Sequence, residues 1–104
     1  MEDKNTLNKT DIFLAWLNEL KDKTAQRRIR ARIHLAENGD FGDCRSVGDG
    51  VSEMRIHYGP GYRLYFCQTG ADRFLLLCGG TKGAQQRDIE RAKTIKGEIG
   101  EAQW

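Results

Sequence analysis

The sequence lacks several features that would place it in a specialised class of protein. No run of 18 apolar residues occurs, so we expect no membrane-spanning helix and no membrane partner. The first ten residues, MEDKNTLNKT, lack the basic and then apolar layout of a secretory signal. The three cysteines have no C-x-x-C spacing, which argues against a zinc site and a disulfide framework. We therefore predict no metal, no cofactor and a cytoplasmic location.

Length and charge narrow the class further. The 104 residues, with one proline and 38% hydrophobic side chains, are typical of one small foldable domain. A net charge of +2 is too small for a protein that binds polyanions through its overall charge. Any binding of a polyanion must therefore depend on local clusters of basic residues. We expect a single domain over residues 1–104, with a core of about residues 11–95. Residues 1–10 and 96–104 are expected to be mobile tails.

Apolar periodicity predicts two helices in the first half of the chain, over about residues 11–23 and 25–37. They would form an antiparallel hairpin. The second helix has an apolar stripe and a strongly basic remainder, which contains Arg27, Arg28, Arg30 and Arg32. We predict that these arginines bind RNA or an acidic protein; the alternative is an ordinary solvated face.

Beyond a glycine-rich stretch at 38–50, predicted to be a loop, the apolar period changes from 3.6 to 2. Residues 51–58 and 62–67 flank a Gly-Pro-Gly turn and predict a β-hairpin. Residues 73–78, RFLLLC, predict a third strand that is covered on both faces. Residues 88–95 predict a helix.

Strand alternation predicts an apolar and a polar face on the hairpin. If His57 lies opposite Arg63, the apolar residues Met54, Ile56, Leu64 and Phe66 share the face that packs on the helices. The opposite face would carry an open polar cluster, and a register slip of two residues would preserve this division. The candidate catalytic residues of that cluster are Arg55, His57, Arg63, Tyr65 and Lys82.

These side chains suit phosphodiester chemistry. Arginine forks match phosphate oxygens, and histidine transfers protons near neutral pH. No carboxylate cluster is evident that would hold a divalent ion, so RNA cleavage here would use the RNA's own 2′-hydroxyl as nucleophile. The alternative is a set of exposed cross-strand ion pairs, each worth ~0–1 kcal/mol.

Three motifs follow in a recognisable order: V-x-E-x-R-I-x-Y-G-P-G-Y-R at 51–63, LLLCGGTK at 75–82 and QQRDIERA at 85–92. Together with the two predicted helices, they resemble the addiction-module killer (HigB-like) branch of the RelE/ParE toxin superfamily. The resemblance implies an α+β fold. In that fold an N-terminal helical hairpin packs on a small, mostly antiparallel β-sheet, with a short C-terminal helix and a concave basic face.

The resemblance also implies the toxin of a type II toxin–antitoxin pair, neutralised by a cognate antitoxin that is commonly a helix-turn-helix protein. Ribonuclease members of the superfamily grip mRNA on the ribosome with basic residues that match Arg55, Arg63 and Lys82. Many of those members keep a tyrosine or histidine near the C-terminus that assists proton transfer, whereas residues 84–100 contain neither. His57 or Tyr65 would have to substitute. The alternatives are a non-catalytic ParE-like inhibitor of DNA gyrase and a module that serves mainly in a repressor complex.

Overall fold

The chain forms a five-stranded mixed β-sheet with helices on both faces. The structure, a computed structural model, describes residues 4–100. In chain order the elements are β1 (Thr6–Lys9), α1 (Asp11–Glu19), α2 (Lys23–Glu37), β2 (Cys44–Gly48), β3 (Val51–Ile56), β4 (Tyr62–Gly70), β5 (Arg73–Thr81), a 3₁₀ turn (Lys82–Ala84) and α3 (Gln85–Ile99). The strand order is β1-β5-β4-β3-β2, and only the β1–β5 pair is parallel. No helix within residues 4–100 is both long and apolar enough to cross a membrane.

Helices α1 and α2 form the predicted hairpin against one face of the sheet. The Thr10 side chain accepts a hydrogen bond from the Phe13 amide, and Asp22 caps α2 through the Ala25 amide. Helix α1 ends at Glu19, earlier than predicted, because a capping residue such as Asp22 needs extended backbone in front of the next helix. The core on this side contains Phe13, Leu17, Ile29, Ile33, Met54, Leu64, Phe66 and Leu76.

Two strands lie where a tail and a loop were expected. Residues Thr6–Lys9 pair in parallel with β5, and Leu7 enters the core at 4% exposure. Residues Cys44–Gly48 pair antiparallel with β3. Both strands are short and contain few apolar residues. They are therefore stabilised by pairing with a neighbouring strand and not by burial of an apolar face of their own. The predicted C-terminal tail is also too long, because α3 continues to Ile99; residues 1–3 and 101–104 lie outside the described residues.

The hairpin register differs from the predicted one by two residues. Arg55 pairs with Arg63, and Met54 pairs with Leu64. The turn is therefore centred on Gly59 instead of Pro60, and Gly59 adopts a φ of 57° that favours glycine. A shift of two preserves the division of side chains between the faces, and Met54 and Leu64 are fully buried on the α1–α2 side.

Helix α3 packs on the second face of the sheet. Its apolar residues Ile89, Ala92 and Ile95 contact Tyr65 and Leu77 in a separate core. The apolar side chains of β5 are therefore buried on both faces of the sheet, as predicted from the sequence. Helix α3 also covers part of the face that was expected to be open and concave, so that expectation is wrong for the covered part.

Two adjacent glycines at the end of β5 allow helices to approach from both faces. A Cβ atom at Gly79 would lie 2.3 Å from the Trp16 ring of α1. A Cβ atom at Gly80 would lie 1.9 Å from the Oδ2 of Asp88 in α3. Neither position has room for a larger residue, so this pair fixes the distance of α1 and α3 from the sheet.

Candidate functional site

Helix α3 divides the predicted polar cluster into a buried part and an exposed part. Tyr65 is completely buried and Arg63 is 6% exposed. The side chain of His57 is 71% exposed and that of Arg55 is 32% exposed, and Lys82 is also exposed. The five predicted side chains therefore do not share one open surface, and that prediction is wrong.

The buried part is organised by a carboxylate. Glu53 is fully buried; its Oε2 accepts a hydrogen bond from Gln85 Nε2 at 2.9 Å, and its Oε1 accepts one from Arg45 Nε at 3.2 Å. Arg63 Nε lies 4.0 Å from the same carboxylate. Burial, with the nearby Glu53 charge, raises the pKa of the Tyr65 phenol. A protonated phenol enclosed in this way cannot reach a molecule outside the protein.

The exposed part is organised by a second carboxylate, Asp43, just before β2. Its Oδ2 lies 2.6 Å from His57 Nε2, and its Oδ1 accepts a hydrogen bond from Arg55 Nη2 at 2.8 Å. The hydrogen bond with His57, followed by that with Arg55, lowers the pKa of Asp43. Asp43 is therefore ionised at neutral pH and holds an imidazole and a guanidinium side by side at the surface.

Asp43 was missed because residues 38–50 were predicted to be a loop. The β2–β3 register pairs Arg45 with Glu53, and the Arg55 amide donates to the Asp43 carbonyl at 2.9 Å. Asp43 is thus the next partner along the ladder for Arg55. Recognition of strand β2 would have placed the carboxylate beside Arg55.

His57 and Lys82 lie along the same edge of the sheet. Ile56 pairs with Tyr62 and Tyr62 pairs with Thr81, so the next row contains His57, Gly61 and Lys82. The Lys82 amide donates to the Gly61 carbonyl at 2.7 Å, which extends the ladder to that row. Gly61, which has no side chain, therefore lies between the exposed residues His57 and Lys82.

The four arginines of α2 have different surroundings. Arg32 Nη1 donates to the Arg55 carbonyl at 2.6 Å, and Nη2 donates to the Phe41 carbonyl at 2.8 Å, so this side chain holds the segment that carries Asp43. Arg27, Arg28 and Arg30 are exposed. None of the four forms an ion pair with a carboxylate in residues 4–100. The outer face of α2 therefore carries unneutralised positive charge.

In the part of the chain that the structure describes, no cluster of side chains forms a set of metal ligands. No group of three or more His, Cys, Asp or Glu residues there could hold a metal ion. The exposed site therefore offers an imidazole, a guanidinium, an ammonium group and one orienting carboxylate. This set suits proton transfer next to a phosphate.

Comparison with known proteins gives a family and a relative. The family model for phage-derived Gp49-like proteins matches residues 15–102. A protein of Haemophilus influenzae, named only as uncharacterized, is 44% identical over 91 residues, which cover 88% of this chain and 92% of that protein. The family match includes Asp43, Arg55, His57 and Lys82.

Proposed function

Because this chain belongs to the family of phage-derived Gp49-like proteins, which are generally toxin-like proteins of toxin–antitoxin modules, we propose that it cleaves mRNA on the ribosome as the toxin of such a pair. The family lies in the RelE and HigB group of toxins, in agreement with the resemblance of residues 51–92. Its partners in this proposal are a cognate antitoxin, the ribosome and mRNA.

The observation that carries the nuclease proposal is the exposed imidazole held by an ionised carboxylate. With Nε2 directed at Asp43, the other ring nitrogen of His57 is free to accept a proton from a ribose 2′-hydroxyl. The negative charge of Asp43 stabilises the imidazolium that forms. The 2′-oxygen attacks phosphorus and the bond to the 5′-oxygen breaks. The products are a 2′,3′-cyclic phosphate and a 5′-hydroxyl whose proton comes from water.

Arg55 and Lys82 supply positive charge for the phosphate. Arg55 uses one Nη to bind Asp43 and offers its other Nη to a ligand. The exposed Lys82 follows Gly61 in the row that begins at His57, and in this proposal it supplies a second positive charge for the phosphate. Arg63 and Tyr65 are assigned no contact with RNA, since both are buried. In this proposal Arg63 and Tyr65 have a structural role, Tyr65 in the core against α3 and Arg63 beside the buried Glu53.

The outer face of α2 is proposed to bind the antitoxin. Arg27 and Arg30 are exposed and lack carboxylate partners within residues 4–100, so an acidic segment would neutralise them. Charge reversal by Arg27→Glu and Arg30→Glu is expected to weaken the antitoxin complex. Unchanged affinity would contradict this docking surface.

Mapping of mRNA ends tests the activity. Purified protein is added to a reconstituted translation system with a defined message, and the 5′ ends and cyclic phosphates are identified. We expect cleavage only when ribosomes translate the message. Intact mRNA at a dose that inhibits translation would reject the nuclease assignment.

A second candidate is inhibition of DNA gyrase by binding. It is favoured by the absence of tyrosine and histidine from residues 84–100, together with the burial of Tyr65. Inhibited supercoiling by purified gyrase at the dose that stops growth, with mRNA intact, would assign this function instead.

A further inference from the structure

We propose that the hollow between α2 and the end of β3 binds one unpaired nucleobase of the RNA. The hollow has a volume of about 310 Å³, and its walls are Arg28, Ala31, Arg32, Ile56, His57 and Tyr58. The proposal rests on the proposed function for the identity of its ligand, because it places a second nucleotide contact beside His57. Its test measures binding to the isolated protein and needs no cleavage.

Flat stacking groups are already ordered at this hollow. The Arg28 guanidinium carbon lies 4.5 Å from the centre of the Tyr58 ring. The Tyr58 hydroxyl donates to Asp22 Oδ2 at 3.1 Å, which fixes the ring from its far end. Unpaired bases stack on aromatic rings and on guanidinium planes, and this stacking tolerates any base. Because Arg28 already covers one face of the Tyr58 ring, the two groups form one stack, and a base would extend this stack from the outer face of the guanidinium.

The other walls favour a base over an acidic side chain. Ile56 and Ala31 supply apolar surface, against which a carboxylate would lose hydration. Two arginines line the hollow, Arg28 and Arg32, and the Nη atoms of Arg32 already donate to the carbonyls of Arg55 and Phe41. Arg32 thus forms a rigid wall of the hollow. A carboxylate could pair with Arg28 but would lose hydration against Ile56 and Ala31, whereas a base can stack on the guanidinium and cover the apolar wall.

His57 connects the hollow to the proposed cleavage site. The same side chain lines the hollow and binds Asp43. A nucleotide whose base enters the hollow would therefore place its own phosphate, or the next one, at the imidazole. This arrangement would select an extended, unstacked strand and would exclude a duplex, whose bases are paired and stacked.

Amide chemical shifts test the proposal. The ¹⁵N-labelled full chain is titrated with adenosine 5′-monophosphate and, separately, with ribose 5-phosphate, which carries the same phosphate without a base. We expect the amides of Ala31, Ile56 and Tyr58 to shift more with the nucleotide than with ribose 5-phosphate, whose phosphate reaches only His57. Equal shifts with both probes, or no shift at these amides, would overturn the proposal.

A matched pair of variants tests the stacking contact. Arg28→Lys keeps the charge and removes the planar group, whereas Arg91→Lys makes the same change at an exposed position of α3. We expect Arg28→Lys to weaken nucleotide binding about tenfold relative to Arg91→Lys. Equal affinities of the two variants would overturn the proposal.

The two proposals fail separately. Base-dependent shifts with intact mRNA in the translation assay would retain the hollow and reject the nuclease. Cleaved mRNA without base-dependent shifts would retain the nuclease and reject the hollow.

Discussion

Replacement of Glu53 by alanine is expected to cause a large loss of stability. Glu53 is fully buried and is the carboxylate nearest to Arg63, whose side chain is 7% exposed. The change removes the acceptor of the Gln85 hydrogen bond and leaves the Arg63 charge buried without its counterion. Arg45, with a side chain 52% exposed, can return to water, so most of the cost arises at Arg63.

The magnitude follows from the burial of this pair. Removal of one partner of a buried ion pair costs roughly 3–5 kcal/mol, because the remaining charge is left uncompensated. The 4.0 Å separation of Arg63 from Glu53 places the expected loss at the lower end, about 3 kcal/mol. For a domain of this size, that loss lowers the melting temperature by roughly 12–24 °C.

Equilibrium unfolding in urea measures the effect. The control is Lys93→Ala, since within residues 4–100 Lys93 pairs with two exposed carboxylates, Asp49 at 3.5 Å and Glu90 at 3.9 Å. That variant should lose ~0–1 kcal/mol. The double variant Glu53→Leu/Arg63→Leu should be more stable than Glu53→Ala, because no unpaired charge is left in the interior.

Two results would refute this reasoning. One is a loss for Glu53→Ala that matches the loss for Lys93→Ala. The other is a Glu53→Leu/Arg63→Leu variant that is less stable than Glu53→Ala. Either would mean that Glu53 and Arg63 are not coupled beneath α3.

Three further outcomes are expected. Gly80→Ala should lower the free energy of unfolding, measured in urea, by about 1–3 kcal/mol, because the added Cβ would overlap the Asp88 carboxylate. Gly83→Ala is the control, since a Cβ at Gly83 has open space around it and should cause no such loss. Equal losses of stability for the two variants would contradict the close packing of α3 on the sheet. The pKa of Asp43 is lowered by folding, so the stability that its bonds contribute is present above its ordinary value of 3.8 and is lost as pH falls through the lowered pKa. The difference in urea midpoint between wild type and Asp43→Asn should therefore exist at pH 7 and vanish well below pH 3.8; a difference that grows on acidification would reverse the sign. Iodoacetamide should modify only the exposed Cys44 in the native protein and all three cysteines in guanidinium, as measured by mass spectrometry. The reason is that burial raises the pKa of the Cys67 thiol and raises that of Cys78 to about 12. Labelling of more than one thiol in the native protein would contradict the burial of Cys67 and Cys78.

The apolar half of the fold could be predicted from the sequence because periodicity reports which side chains are buried. The α1–α2 hairpin, the β3–β4 pair and the apolar β5 all follow from periods of 3.6 and 2. The division of β3 and β4 into two faces survived an error of two residues in register, because the period of a strand is two.

The site could be predicted only in part. Period alone places Arg55, Arg63 and Tyr65 on the same face, but it does not say what covers that face. Helix α3 covers the part of it that contains Tyr65, and the space for α3 depends on Gly80, whose role is visible only in three dimensions. The short strands β1 and β2 carry no apolar pattern that would predict them. Because β2 was not predicted, there was no reason to place Asp43 beside Arg55 and His57.

Two single variants distinguish proton transfer by the exposed imidazole of His57 from proton transfer by the buried phenol of Tyr65. Message cleavage is measured in a reconstituted translation system, with unfolding in urea as a check that each variant is folded. We expect His57→Ala to lower the cleavage rate at least a hundredfold and Tyr65→Phe to change it only a few-fold. Cleavage that survives His57→Ala and disappears in folded Tyr65→Phe would contradict proton transfer by His57.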